Sequence, residues 1–431
     1  MIISIISSII IWSAVLVLIL RIIYKSGVVI PNNKYTAVLL SDKPLGQNYS
    51  STTTKELLAV FALAFAFRVL VFILSLCTIY MFNDNIHNVN DILDQYMKWD
   101  ANNYIRIATG GYTYHTENGN FTTLAFFPLY PWLIKLFSFI FRDLRISAMI
   151  LSFILYSASC VFLYKLFTID YNKNTAVRAI VYMSVFPHAL FFGTMMNESM
   201  LLFTSAATLY YIRKHKWQLA SIFGALAALS RMAGILLAVP AAIEWLEEYR
   251  ILEKLKNKQF KSVWELFYRK GLWIFLMLTG TGIYLFCNYK ITGDWLKFLE
   301  YQNTIWNNGS CYFGKGIALI FNNAFSNDFS NKFALWIPEA ASILFVVIML
   351  IYGLRRNRNM YSAFLVVYII INTGFKWPIS VARYMTCAIP AFLFLSDFSE
   401  RHKWTEPVIT AVMAIGLGIY LTGYLTWKQI L

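Results

Sequence analysis

KWDANNYIRIATGGYTYHTENGNFTTLAFFPLYP, residues 98–131, is a polar, glycine-containing stretch in a chain otherwise dominated by long apolar runs. It holds Asp100 beside Trp99, with Tyr104 one helical turn further on. The contrast between this stretch and its surroundings decides the fold class. Of 431 residues, 58% are hydrophobic, 17% aromatic and only 14% charged, and the mean hydropathy is +0.56, which excludes an ordinary water-soluble domain. The apolar runs are helix-length, carry internal Gly and Pro, and lack the alternation of outer-membrane strands. The expected fold is all-α, a polytopic bundle of about twelve transmembrane helices. The formal net charge of +15 does not point to nucleic acid, because Lys and Arg lie in short clusters between apolar spans, the pattern that orients a protein in a bilayer. Cys77, Cys160, Cys287, Cys311 and Cys387 have no metal-type spacing, and neither a disulfide framework nor a zinc site is expected.

Working outward from residues 98–131, charge sets the sidedness. Residues 83–123 carry Asp84, Asp91, Asp94, Asp100 and Glu117 against Lys98 and Arg106, an acidic loop expected outside the cytoplasm. Upstream, residues 2–20 form a first helix followed by Arg21 and Lys25. The tract to Lys55, with Lys34 and Lys43 against Asp42, is expected inside, and Leu57–Met81 crosses outward. Downstream, Leu124–Phe141 carries Pro128, Pro131 and Lys135 and reads as an interfacial helix on the outer surface. Spans follow at about 146–168, 175–196 and 199–212, ending at the basic marker RKHK, 213–216. Residues 217–243 are one span long, yet basic tracts flank both ends. Two short helices broken at Ser230-Arg231 satisfy both, and a charge at that depth is normally paired or functional. After Gly271–Tyr289, a second outer loop at 291–333 carries Trp295, Tyr301, Trp306, Tyr312 and Phe313. These would ordinarily form an interface belt, although aromatic faces also suit sugars. Further spans, 336–353, 360–377, 384–397 and one ending near Trp427, are separated by RRNR (355–358) and SERHK (399–403).

Four charged residues stand out. If 93–108 is one helix, Leu93, Tyr96, Met97, Asp100, Tyr104 and Ile107 share a stripe, and a carboxylate on that apolar face is a candidate general base. Alternatively Asp100 caps a helix over Ala101–Ala108 that stops at Gly110-Gly111. Glu198 opens a span, where an acidic first-turn residue is favourable in any helix, but the topology brings it to the same face as Asp100. Arg231 and Arg383 are candidate anion readers, since guanidinium donors match phosphate oxygens and stay charged when buried. For Arg383, snorkelling to the outer interface is an equal alternative. His115 and His188 are single histidines without ligand spacing.

Trp99-Asp100, then Ile107-Ala108-Thr109-Gly110-Gly111-Tyr112, then Phe126-Phe127-Pro128-Leu129-Tyr130-Pro131 together resemble the Asp-bearing outer loop of the PIG-V family. These are the GPI mannosyltransferases that add the second mannose, with their prokaryotic relatives. MMNESMLLF, ALAALSRMAGILLAVP and VARYMTCAIP resemble later segments of that family, so the likeness spans about 100–390. The resemblance implies a GT-C type glycosyltransferase whose site faces away from the cytoplasm and whose donor is a sugar, most simply mannose, on a polyprenyl monophosphate. It implies Asp100 as general base of an inverting transfer, with Glu198 as second acidic residue, and Arg231 and Arg383 at the donor phosphate. Trp99, Asn103, Tyr104, Tyr112 and His115 then become candidate substrate contacts. Whether Glu198 orients Asp100 or, with it, holds a divalent ion such as Mn2+ or Mg2+ is open, and no cofactor is certain. Residues 1–56 are expected to be an N-terminal helix and cytoplasmic linker, and 57–431 the catalytic domain, with outer loops at 83–145 and 291–333. The expected setting is a prokaryotic plasma membrane, with a glycan, glycolipid or protein acceptor. The competing class is a transporter or lipid flippase, which the broken helix at Arg231 would also suit.

Overall fold

A computed structural model describes residues 1–30, 40, 52–83, 86–117, 119–326, 331–426 and 430. Lys34, Asp42, Lys43, Asp84 and Trp427, invoked above, lie outside the described residues. The described chain is all-α, and only two isolated bridges, Glu117 with Asn120 and Ser310 with Phe375, occur in it. Among the described residues, five helices are long and apolar enough to cross a membrane: Ile2–Lys25, Thr54–Phe82, Leu144–Asp170, Lys332–Gly353 and Thr405–Leu425. Phe260–Leu276 and Thr279–Thr292, bent by 42°, add a sixth if counted as one span. Three shorter apolar helices of 10–17 residues, Leu129–Phe141, Trp217–Ser230 and Asn359–Thr373, accompany them among the described residues.

Local chemistry starts these helices where they start. Thr53 accepts from the Glu56 amide at 3.3 Å while Glu56 accepts from the Thr53 amide at 3.2 Å, a reciprocal capping box opening Thr54–Phe82. Asp143 accepts from the amides of Arg145 and Ile146, and Asn172 from that of Thr175, opening the two following helices. Leu144–Asp170 is the central post. Its Tyr156, Cys160, Leu163, Leu166 and Phe167 are fully enclosed. The first, second and last helices instead leave Ile9, Leu16, Leu63, Met81, Ile415 and Ile419 exposed, an apolar perimeter suited to lipid. This is a multi-pass membrane protein.

Two polar clusters lie at opposite ends of the 16-residue helix Glu198–Arg213, about 24 Å apart. One end holds Asp100, Glu198, Arg231 and Arg383. At the other, Arg213 pairs with Asp170 at 2.6 Å, Arg358 with Glu244 at 2.8 Å and His215 with Glu244 at 3.2 Å. Segments read as inner by their charge thus meet at one end, and Asp100 lies at the other.

Three details differ from the sequence reading. Residues 93–108 are not one helix: Val89–Asp94 ends, a turn intervenes, and Asp100–Gly110 begins after Trp99, which has φ 50°. The helix expected over 175–196 ends at Val185, and a short 3-10 turn, Ala189–Gly193, follows. Finally, Arg68, within the second helix and passed over in the sequence, is 1% exposed. It donates to the Ala189 carbonyl at 2.6 Å and the Ser184 carbonyl at 2.8 Å, with its guanidinium 4.5 Å from the centre of the Tyr156 ring. A buried charge is tolerable here because backbone acceptors left by the unwound segment receive it.

Candidate active site

Each charged residue of the Asp100 cluster sits at or just beyond an interruption of regular helix. Asp100 is the first residue of Asp100–Gly110, and no side chain caps that helix. Instead of capping, the Asp100 carboxylate turns to Arg383, whose Nη2 donates to Oδ2 at 2.6 Å. Glu198 is the first residue of Glu198–Arg213. Beside it, the Asn197 amide donates to the Ser230 carbonyl, tying this helix start to the neighbouring break. That break is where the sequence placed it: Trp217–Ser230 ends, Arg231 is extended at φ −161°, ψ 151°, and a 3-10 turn, Met232–Leu237, precedes Ala238–Glu248. Gly234 permits the reversal, since a Cβ there would collide with the Ala227 carbonyl. Arg383 rides on the short helix Val381–Met385, which follows Ser380 at φ 71°. Glu339 Oε2 accepts from the Ala382 amide at 2.6 Å and anchors this helix from the neighbouring span.

These elements assemble an alternating ion quartet. Arg383 Nη2 contacts Asp100, Arg383 Nε lies 3.2 Å from Glu198 Oε1, and Arg231 Nη1 donates to the same Oε1 at 3.1 Å. The Arg231 guanidinium also lies 3.9 Å from the centre of the Tyr384 ring, a favourable cation–π contact. The two halves differ in access. The Glu198 and Arg383 side chains are 2% and 3% exposed, whereas Asp100 and Arg231 retain 28% and 20%. Both open onto a cavity of about 460 Å³, within the ~300–1,000 Å³ range of small-ligand sites. Chemically, the site offers an accessible carboxylate to take a proton and two fixed guanidinium groups to meet an anion.

Of the other expected contacts, Trp99, Asn103 and Tyr104 line the cavity. Burial, with Asp100 and Glu198 nearby, pushes the Tyr104 phenol well above the usual tyrosine range, so it remains a neutral O–H donor. Tyr112 and His115 are not brought there. Tyr112 is buried and donates to the Phe126 carbonyl at 2.6 Å, holding the FFP turn, and His115 pairs with Glu117 at 3.2 Å on the loop outside. Nor do Asp100 and Glu198 fit a divalent ion as a ligand pair. A hard cation wants about six oxygens, whereas the Arg383 guanidinium contacts both carboxylates. Among the described residues the one three-membered group of metal-ligating side chains, His215, Glu244 and Glu248, is at the opposite end of Glu198–Arg213, and Arg358 already neutralises Glu244.

Sequence reasoning did not single out Tyr384, Asn372, Trp377 or the amides of Gln302, Asn303 and Asn308, all of which line the cavity. Only Tyr384 carried a signal, its adjacency to Arg383.

Residues 127–284 match the family model described as Dolichyl-phosphate-mannose-protein mannosyltransferase. The match covers over a third of the chain and includes Glu198 and Arg231, but not Asp100 or Arg383. No curated protein matches the chain. Two solved structures from Archaeoglobus fulgidus are similar. One is its oligosaccharyltransferase tethered with an acceptor peptide containing the NVT sequon, with 13% identity over 87% of this chain and 56% of that one, and a TM-score of 0.45. The other is archaeal oligosaccharyltransferase AglB in complex with an inhibitory peptide and a dolichol-phosphate, with 14% identity, the same coverages and a TM-score of 0.43. This chain therefore spans a little over half the length of each.

Proposed function

We propose that this chain is a GT-C type membrane glycosyltransferase. It moves a sugar, mannose by preference, from a polyprenyl monophosphate to an acceptor hydroxyl on the extracytoplasmic side. The observation that carries the reading is the ion quartet opening onto the cavity through Asp100 and Arg231. The PIG-V resemblance of residues 100–390 and the mannosyltransferase model matched over 127–284 support the same chemistry.

In this mechanism the donor phosphate enters beside Arg231 and takes over part of the Arg383 fork from Asp100. Freed to face the acceptor, Asp100 accepts the proton of the attacking hydroxyl. The new bond forms between the acceptor oxygen and the anomeric carbon as the bond from that carbon to the phosphate oxygen breaks. The bonding pair leaves with polyprenyl phosphate, and the single displacement inverts the anomeric centre. Positive charge develops on the sugar ring and negative charge on the phosphate, and the fixed guanidinium groups stabilise the latter. Glu198, with Oε1 on both arginines, holds them in register. The catalytic unit is residues 57–431, its outer loops at 83–145 and 291–333 facing away from the cytoplasm of a prokaryotic cell.

The test is transfer from polyprenyl-phosphate [14C]mannose by purified protein in nanodiscs. Asp100→Asn is expected to lower the rate by about 10²–10⁴, the usual worth of a general base. Transfer at the parental rate would remove Asp100 from that role. If none of a panel of polyprenyl-phosphate sugars is ever consumed, the enzyme reading itself fails.

A further inference from the structure

Apart from Asp100, Arg231 and Arg383, the residues lining the cavity are uncharged. They include three tryptophans, Trp99, Trp306 and Trp377, and five carboxamides, Asn103, Gln302, Asn303, Asn308 and Asn372. The indoles remain 36%, 39% and 41% exposed. An edge-to-face chain of rings leads to one of them from the helix of Asp100. Tyr104 meets Phe126 at 5.4 Å, and Phe126 meets Trp306 at 5.5 Å. The Asn308 amide donates to Gln302 Oε1 at 3.4 Å and that of Asn372 to the Tyr368 carbonyl at 2.8 Å, but two carboxamides here keep an unused group. Asn103, 9% exposed and one turn beyond Asp100, makes no side-chain hydrogen bond among the described residues, and Asn308 Oδ1 is buried without a partner. Such groups cost free energy unless a ligand or water satisfies them.

We propose that Trp306, Gln302, Asn303 and Asn308, with Asn103 on the facing helix, form an acceptor subsite for an uncharged hexose unit of a glycan. This rests on the glycosyl-transfer reading and names its acceptor class. An indole face suits the C–H face of a pyranose, and carboxamides pair with adjacent hydroxyls as donor and acceptor at once. The cavity lining itself offers a phosphate- or carboxylate-bearing acceptor no cation beyond those assigned to the donor, and the exposed Lys376 side chain lies at its rim against Gly309.

The test uses the full chain in nanodiscs with polyprenyl phosphate present. Octyl α-mannopyranoside and a blocked, uncharged Ser/Thr peptide are titrated separately and followed by saturation-transfer NMR. The glycoside is expected to saturate and the peptide not. Trp306→Ala is expected to weaken glycoside binding about 10-fold, with recovery in Trp306→Tyr, the loss of one stacked ring being of that order. Affinity for a fluorescent polyprenyl phosphate is expected to stay at the parental value in Trp306→Ala and to fall in Arg231→Ala, which separates a lost subsite from a lost fold. Saturation by the peptide alone, by neither ligand, or equally in Trp306→Ala would overturn the proposal. A glycoside that binds at Trp306 but is never glycosylated would leave the subsite standing and sink the transferase reading.

Discussion

Replacing Arg383 by methionine keeps much of the side-chain length and removes one charge from a quartet that sums to zero. Arg383 contacts Asp100 at 2.6 Å and Glu198 at 3.2 Å. At a charge separation of ~4 Å and an effective dielectric of ~20, each contact is worth about 4 kcal/mol before desolvation. Removing one partner from a buried pair typically costs about 3–5 kcal/mol, because a charge remains without compensation. Glu198 would keep Arg231 at 3.1 Å, and Asp100 retains some exposure, so the lower end, about 3 kcal/mol, is expected. Glu198→Gln in the same background removes the surplus negative charge and should restore about 2 kcal/mol, a coupling within the usual range for residues in contact. The assay is denaturant unfolding in detergent micelles, followed by tryptophan fluorescence, for the parent, both single variants and the double variant. A cost below about 1 kcal/mol, or a double variant no more stable than Arg383→Met, would refute the claim that these four charges act as one electrostatic unit.

Other expectations follow from groups around the quartet and beyond it. Glu339→Ala should raise the KM for the polyprenyl-phosphate donor about 10-fold by loosening the short helix of Arg383, while Glu339→Gln, which can still accept from the Ala382 amide, should recover most of it; equal KM values in the two variants would deny Glu339 a positioning role. Arg68→Met should cost about 3 kcal/mol by stripping the Ser184 and Ala189 carbonyls of their donor, seen as a lower Tm and poorer yield. At the end of the bundle away from the quartet, burial pushes Glu247 up to about 7, so its folded form binds a proton more tightly than its unfolded form. The contribution is complete below the ordinary glutamate value and lost as pH rises through about 7, so stability should fall over that interval and Glu247→Gln should flatten the slope. A Tm profile identical in the parent and the Gln variant would contradict this.

What could be read from the sequence depended on whether its cause was local. The break at Ser230-Arg231 was legible because basic tracts at both ends of one span length left no other solution. The early end of the helix at Val185 has a local cause in the sequence. Pro187 disfavours helical geometry at Phe186, which is indeed extended at φ −55°, ψ 142°. The failed stripe over 93–108 had no such signal. Lys98 lies at that turn, and its Nζ donates to the carbonyls of Tyr424 and Leu425 at 2.6 and 3.0 Å, partners more than 320 residues away. Arg68 and Glu339 escaped notice for the same reason, since their acceptors and donors lie in other elements. The three aromatic-Asp, glycine and FFP elements located Asp100, but not Tyr112 or His115. In those residues the loop's own packing, rather than the cavity, uses the side chain.

The interruptions are themselves part of how the site is made. A helix advances ~100° per residue and buries its backbone amides, so a charged side chain in mid-helix can serve only the partners its own face meets. Each member of the quartet escapes that restriction. Asp100 follows Trp99 at φ 50°, Glu198 follows a 3-10 turn, Arg231 is itself extended, and Arg383 belongs to a five-residue helix entered through Ser380 at φ 71°. Two of these entries place non-glycine residues in the left-handed region, at a cost of about 1–3 kcal/mol each, which persists only where the surroundings over-determine it. Glu339 on the Ala382 amide supplies that restraint for Ser380, and Lys98 on the last helix supplies it for Trp99. Strain held from outside and spent on convergence accounts for four charges from four separate elements meeting within about 3 Å contacts in an otherwise apolar bundle. Restoring regular helix at Trp99 or Ser380 should therefore relieve strain yet dissolve the quartet. A more stable variant that has lost donor affinity is the outcome this reasoning requires, and one that retains full affinity would show that the breaks are incidental to the site.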